Sequence, residues 1–407
     1  MKVAYIKLMK KNAKQSDILL WTKVLHTQAI YQAIRPKKLG LLLAIACCIL
    51  KSRTSCIYKA SEKISSVMGM KSPKGIDYQS FLKFFATGKG DIIQKAMLQT
   101  ILLFLFHTCP SSHLVLDRTN WKYGKVHKNI LCIGAIYYGC FVPLVWIDLN
   151  KAGNSTMQMR LDLIKRLKSQ WLEVLPFPAL HLSGDREFIG DYWLRQLVKL
   201  EIQFVIRIKN NKKCQVWFNN GIKDREIKIK ALHRYMTKKG LQSHQIVLAG
   251  DYIAQIIVLE NTAPQPDEPF LYLITNLDDI EQAAELYRIR WKIECCFKHL
   301  KTNGFNLENQ AFTAPHKIEL LMSILVLVYA MAIYEGVIIH QTEQVKTKTY
   351  KVKELSGKIR IVYYPEKSVF RAGLAFIEVI ILNLKKLIEY LNNFIFNYFI
   401  NNQQFTI

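Results

Sequence analysis

The spacing of apolar and polar residues divides the chain into stretches of different texture. Over residues 1–108 apolar positions recur at helical intervals through 18–33, 39–50, 55–68 and 81–106, with short basic loops such as Arg35-Pro36-Lys37-Lys38 and Lys71-Ser72-Pro73-Lys74 between them. The pattern predicts a helical domain of four or five helices. Within it, residues 44–68 have the outline of a helix-turn-helix, joined by Lys51-Ser52-Arg53-Thr54-Ser55, whose second helix would carry Tyr58, Lys59 and Lys63 to a DNA groove.

From His113 the texture changes to strands. His113-Leu-Val-Leu-Asp117 reads as a short apolar strand ending on an aspartate, and 129–138 and 141–148 are β-rich runs around a turn at Gly139. Residues 156–171 have helical spacing, and 179–185 form a second apolar strand that again ends on an aspartate, Asp185. A helix over 191–200 and a strand over 203–209 complete the series. Strand, strand, strand, helix, strand, helix, strand is the element order of an RNase H-like fold, so the expected class is α/β, a mixed sheet with flanking helices.

Beyond it, 210–269 read as an all-β insertion, with strands over 214–219, 225–229, 245–248 and 252–259 separated by Gly, Asn and Pro turns. A strand over 270–276 returns to the core, and 286–304 then read as one helix without internal Gly or Pro, stopped by Asn303-Gly304. The domains expected are therefore 1–108 (helical, with the candidate DNA-binding pair), 109–209 and 270–345 (two parts of the α/β core), 210–269 (insertion) and 346–407 (basic and helical). An apolar helix over 316–339 would back the helix at 286–304. A last amphipathic helix over 374–400 would pack on its own domain or on a second subunit.

Charge sharpens this picture. The 407 residues carry 57 Lys and Arg against 31 Asp and Glu, a net charge of +26, which calls for a polyanionic partner, nucleic acid first. A membrane is not expected as a partner: the start Met-Lys-Val-Ala-Tyr-Ile has neither a signal peptide nor a myristoylation glycine, and the apolar runs 39–50 and 320–334 fall short of the roughly 20 residues that span a bilayer. Nine cysteines without a C-x2-C pair suit a reducing compartment. The expected location is the cytoplasm.

The helix at 286–304 carries the most specific pattern. At roughly 100° per residue, Tyr287, Arg290, Glu294, Lys298 and Lys301 project within about 80° of one another, while Leu286, Ile289, Ile293, Phe297 and Leu300 share a separate packing arc. Alternating charges on a solvated helix face are the ordinary reading of such a stripe. However, Tyr287, Arg290, Glu294 and Lys301 stand at the spacing Y-x2-R-x3-E-x6-K, which resembles the signature helix of DDE transposases of bacterial insertion sequences, in the cut-and-paste family called IS-four. Asp117-Arg-Thr-Asn-Trp121 and Gly184-Asp185-Arg186-Glu187-Phe188 resemble the family's motifs around its two aspartates.

The resemblance covers roughly 78–375 and implies a function. Asp117, Asp185 and Glu294 would hold two Mg²⁺ ions, or Mn²⁺ in their place, for phosphoryl transfer at a DNA backbone, because hard oxygen ligands suit these cations. Tyr287, Arg290 and Lys301 would grip phosphates at the cleaved end, with Lys298 on the same face. Arg118 and Arg186 would be phosphate or structural cations. Trp291 on the signature helix and Trp217 in the insertion could each stack a flipped base, although a core position is the plainer reading of either. Asp148 and Asp191 are weaker candidate ligands. The partners implied are duplex DNA, as transposon ends and target, and a second copy of the chain. The rivals are a DNA-binding relic or repressor without catalysis, and a metal-dependent nuclease that cuts without joining.

Overall fold

The computed structural model describes residues 36–68, 74–88, 90–106, 111–175, 180–216, 225–248, 252–265, 268–342, 345–353 and 359–382. The helix expected over 18–33, Cys109, Trp217 and the last helix beyond residue 382 lie outside them. The chain divides into a helical unit, residues 1–108, 123–126 and 298–407, and a sheet unit, residues 109–122 and 127–297.

The helical unit begins with α1 (Pro36–Ser52), α2 (Ile57–Ser61), α3 (Ile64–Met68), α4 (Lys74–Phe85) and α5 (Gly90–Ile101), the last running into a π-helical turn at Leu102–Phe106. The turn after α1 forms as expected, with Arg53 in the left-handed region at φ 53°. The second helix of the predicted pair is broken into α2 and α3 at Glu62-Lys63, yet Tyr58, Lys59 and Lys63 are exposed.

In the sheet unit β1 (His113–Tyr123), β2 (Val126–Tyr137), β3 (Cys140–Asp148), α6 (Met157–Leu172), β4 (Leu180–Gly184), α7 (Asp191–Lys199) and β5 (Ile202–Arg207) follow the predicted series. Their order across the sheet is β3-β2-β1-β4-β5, with β1, β4 and β5 parallel and β2 and β3 antiparallel. Tyr138 and Gly139, at φ 45° and 73°, make the two-residue turn whose twist suits a hairpin. Thr156 caps α6 by accepting from the Met159 amide at 3.3 Å. Strand β1 does not end at Asp117 as expected; it continues to Tyr123, and only its pairing with β4 stops before Asp117.

The insertion comprises β6 (Lys213–Val216), β7 (Arg225–Lys228), α8 (Ile229–Lys239), β8 (Ser243–Leu248) and β9 (Tyr252–Gln265), and β10 (Glu268–Thr275) is the strand that returns to the core beside β5. One expectation is corrected here. The insertion is not all-β, since α8 buries Ile229, Leu232 and Met236 at helical spacing and stops at Gly240, φ 66°. The strands continue the first sheet as β5-β10-β9-β8-β6-β7, ten in all among the described residues.

The expected single helix over 286–304 is two helices, α9 (Ile280–Ile289) and α10 (Lys292–Lys301). They meet at Arg290-Trp291, where the Ile293 amide bonds the Arg290 carbonyl and the Glu294 amide the Trp291 carbonyl, both at 3.1 Å and both tighter than α-helical spacing. Then α11 (Pro315–Thr342), a ribbon of β11 (Thr347–Lys353) and β12 (Ile359–Pro365), and α12 (Val369–Leu382) complete the helical unit. By length and apolarity α11 could cross a membrane, yet 78% of its most apolar window is buried. It packs against α5, α1 and α12, so closely to α12 that a Cβ on Gly336 would meet the Val369 carbonyl and one on Gly373 the Ala332 carbonyl. The last turn of α10 rests on this core through His299, stacked 4.3 Å from Phe370 and 6.1 Å from Tyr329.

Candidate active site

Parallel pairing of β1 and β4 sets His113 opposite His181 and Leu116 opposite Gly184. One residue further on, the two strands carry Asp117 and Asp185. The pairing is fixed from below by a buried hydrogen bond of 2.9 Å between His113 Nε2 and Ser183 Oγ, so the two carboxylates leave the sheet at one edge. Asp279 starts α9, accepting from the Glu281 and Gln282 amides at 2.9 and 3.1 Å. The break after α9 then places Arg290 and Glu294 over the same edge.

Arg290 joins the three acids. Its Nη1 donates to Asp117 Oδ2 at 3.0 Å and its Nη2 to Glu294 Oε1 at 2.8 Å, while Asp185 acts on it through its charge. The guanidinium lies 5.6 Å from the ring of Tyr287, which is buried. Burial disfavours the charge on Arg290, but Tyr287 and the three carboxylates outweigh it and raise its pKa above the usual arginine range. Burial pushes the Asp117 carboxyl up to about 7, against the pull of Arg290 and of the Arg118 amide, with Asp185 and Glu187 adding to the rise.

The donor set suits a hard divalent cation in kind. One oxygen of the set, Asp185 Oδ1, is buried without a hydrogen-bond partner, and such an atom is normally satisfied. Among the described residues no three acids, histidines or cysteines stand close enough to form a ready cage; a single guanidinium is the cation that Asp117 and Glu294 share.

The other candidates separate by surroundings. All three guanidinium nitrogens of Arg118 donate within the protein, to Glu187 at 2.6–2.9 Å, to Asn129 and the Gly153 carbonyl at 3.0 Å and to Asn154 at 3.1 Å. Arg186 is partly exposed and pairs with Glu268 at 2.8 Å, and Arg207 shares that glutamate. Lys298 is exposed, and Lys301 pairs with Glu308 at 3.0 Å. Trp291, at 59% exposed, is not the core residue that the plainer reading made it. Asp148 is tied to Lys128 at 3.3 Å, both side chains shut off from solvent, and Asp191 sits in the first turn of α7 behind Gly190.

Two contributors, Arg160 and Glu268, carried no mark in the sequence, and Glu187 stood there only within the motif around Asp185. Glu187 orients Arg118; Arg160, buried, binds Ser155 at 2.8 Å and the Glu187 carbonyl at 3.1 Å; and Glu268 pairs with two arginines across the sheet. The last of these lies in a cavity of about 500 Å³ whose walls include Arg186, Lys209, Lys230, Arg234 and Phe270. Acids next to arginines in sequence, as in Arg186-Glu187, were the only available hint.

Two aspartates on neighbouring parallel strands and a glutamate on a following helix define a carboxylate-lined site on a mixed α/β sheet. A family model, the transposase DDE domain, matches residues 108–331, more than half of the chain, and the chain belongs to that family. Among solved structures, a piggyBac transposase synaptic complex with hairpin DNA, determined by cryo-electron microscopy, is similar at 12% identity and a TM-score of 0.44, over 81% of this chain and 77% of that one. No curated protein matches the chain.

Proposed function

We propose that this transposase acts as a cut-and-paste enzyme of the IS-four type, with an RNase H-like core, that binds the terminal inverted repeats of an insertion sequence, cuts there and joins the freed ends to target DNA. The observation that carries the proposal is the pairing of Asp117 and Glu294, from distant segments, with one guanidinium, Arg290, under the charge of Asp185. Such an arrangement fits a cation-binding role, because a buried carboxylate is costly unless it is paired or binds a cation.

Asp117, Asp185 and Glu294 would hold Mg²⁺, with Mn²⁺ as a substitute. A bound metal would supply Lewis-acid chemistry for the scissile phosphate and for the attacking oxygen, whether of water or of a 3′-hydroxyl. Arg290 balances the acids without metal and is placed to bind a phosphate beside them. Trp291, exposed next to Arg290, offers a face on which an unpaired base can stack. Arg186 and the cations of the insertion cavity supply positive charge for the backbone, and the net charge of +26 supports a DNA partner. Joining two ends in one event calls for two copies of the chain, acting at the bacterial nucleoid in the cytoplasm.

The test is cleavage of a labelled duplex bearing the element's end, with Mg²⁺, by the wild type and by Glu294→Gln. The proposal expects cutting by the wild type and a loss of about a thousandfold in the variant, the size of several kcal/mol of metal stabilisation, with DNA binding retained. Binding by both proteins with cutting by neither would leave a DNA-binding relic instead, and cutting without joining would leave a nuclease.

A further inference from the structure

The ribbon of β11 and β12 stands apart from the rest of the helical unit. Its strands pair antiparallel from Thr347 opposite Pro365 to Lys353 opposite Ile359. Among the described residues, no other element contacts either strand to more than a marginal extent. A two-stranded hairpin is barely stable in water unless something covers it. This one leaves Tyr350, Ile359, Ile361, Tyr363 and Tyr364 between 50% and 66% exposed.

We propose that the ribbon is a DNA-binding arm that enters the major groove of duplex DNA; the proposal rests on the chain acting on DNA, and it adds a contact that the carboxylate site does not contain. The strands carry Lys348, Lys351, Lys353 and Arg360 and no acid, and Lys346, just before them, is exposed. Lys348 pairs with the exposed Glu366 at 3.3 Å. Seven residues per strand span about 23 Å at roughly 3.3 Å each. That length covers about two thirds of a turn of B-DNA, and a two-stranded ribbon fits a groove about 12 Å wide.

The register separates DNA from the other partners. Lys351 lies opposite Ile361 on one face and Val352 opposite Arg360 on the other, so each face carries cations beside apolar residues. A membrane-surface element keeps one face apolar, and this ribbon has none. A second copy laid against it would bring lysines to lysines, and lysines on a strand edge oppose strand addition. A groove contacts both faces at once, with phosphates on the flanks and thymine methyls and base edges at the floor.

The test uses the full chain and a fluorescent 30-base-pair duplex of mixed sequence. Substituting Lys348→Ala, Lys351→Ala and Arg360→Ala together is expected to weaken binding about tenfold and to reduce the salt slope by about 2 to 3, near 0.9 for each phosphate lost. In the wild type, DNA should slow hydrogen exchange at amides 347–353 and 359–365, a readout that needs no variant to fold. Methyl green, a major-groove ligand, should compete, and netropsin, a minor-groove ligand, should not. An unchanged salt slope without amide protection would overturn the proposal. So would a triple variant that binds DNA normally but loses self-association, or one that loses only binding to phosphatidylserine vesicles. Failure of the cleavage test with Glu294→Gln leaves these binding results intact, so the two proposals can fail separately.

Discussion

Two clusters of the sheet unit are opposite in charge. At the edge of β1 and β4, Asp117 and Glu294 share one guanidinium, Arg290, which the charge of Asp185 also acts on. Where the core meets the insertion, Arg186, Arg207, Lys209, Lys230 and Arg234 line a cavity with one acid, Glu268. The first is sheltered enough that burial raises the Asp117 carboxyl to about 7; the second is open, with Lys209, Lys230 and Arg234 exposed. The first is an acidic cluster balanced by one guanidinium and the second a basic cluster balanced by one carboxylate.

Removing the shared ion from each cluster breaks the comparison most directly. Arg290→Ala strips the acids of their cation, and thermal or urea unfolding without metal should show a loss of about 3 kcal/mol, the usual cost of breaking a sheltered ion pair. Millimolar Mg²⁺ should restore more stability to this variant than to the wild type, because it binds the folded state. Equal stability of the two proteins in metal-free buffer would mean that the acids do not need Arg290. A smaller effect is expected from Glu268→Gln, which frees Arg186 and Arg207 for phosphates. Its salt slope on a duplex should steepen by about 1 to 2, and a slope unchanged from the wild type would remove the cavity from the DNA path.

The core was legible where local pattern and topology agree. The apolar runs that end on Asp117 and Asp185 predicted two neighbouring strands, and their register brings those aspartates to one edge. The signature helix was legible in its residues but not in its shape. Apolar spacing continues across Arg290-Trp291, and neither Gly nor Pro marks the break, so nothing local announced two tightened hydrogen bonds. Helix α8 was missed although Ile229, Leu232, Met236 and Gly240 spell a helix and its stop; β-rich neighbours on either side hid it. The pairings of Arg118 with Glu187 and of Arg186 with Glu268 are set by tertiary placement. The exposure of Trp291 likewise depends on which way the short helix α10 leaves the break, a matter that hydrophobicity does not decide.

The central claim is that Asp117, Asp185 and Glu294 form one metal site. Loading the protein with Fe²⁺ in place of Mg²⁺ and adding ascorbate and peroxide would cut the backbone beside the bound ion, and the fragments can be sized by mass spectrometry. The account predicts cuts clustered near residues 117, 185 and 294, suppressed by excess Mg²⁺ and absent in Asp185→Asn. Cuts confined to other segments, or a pattern unchanged by Asp185→Asn, would contradict it.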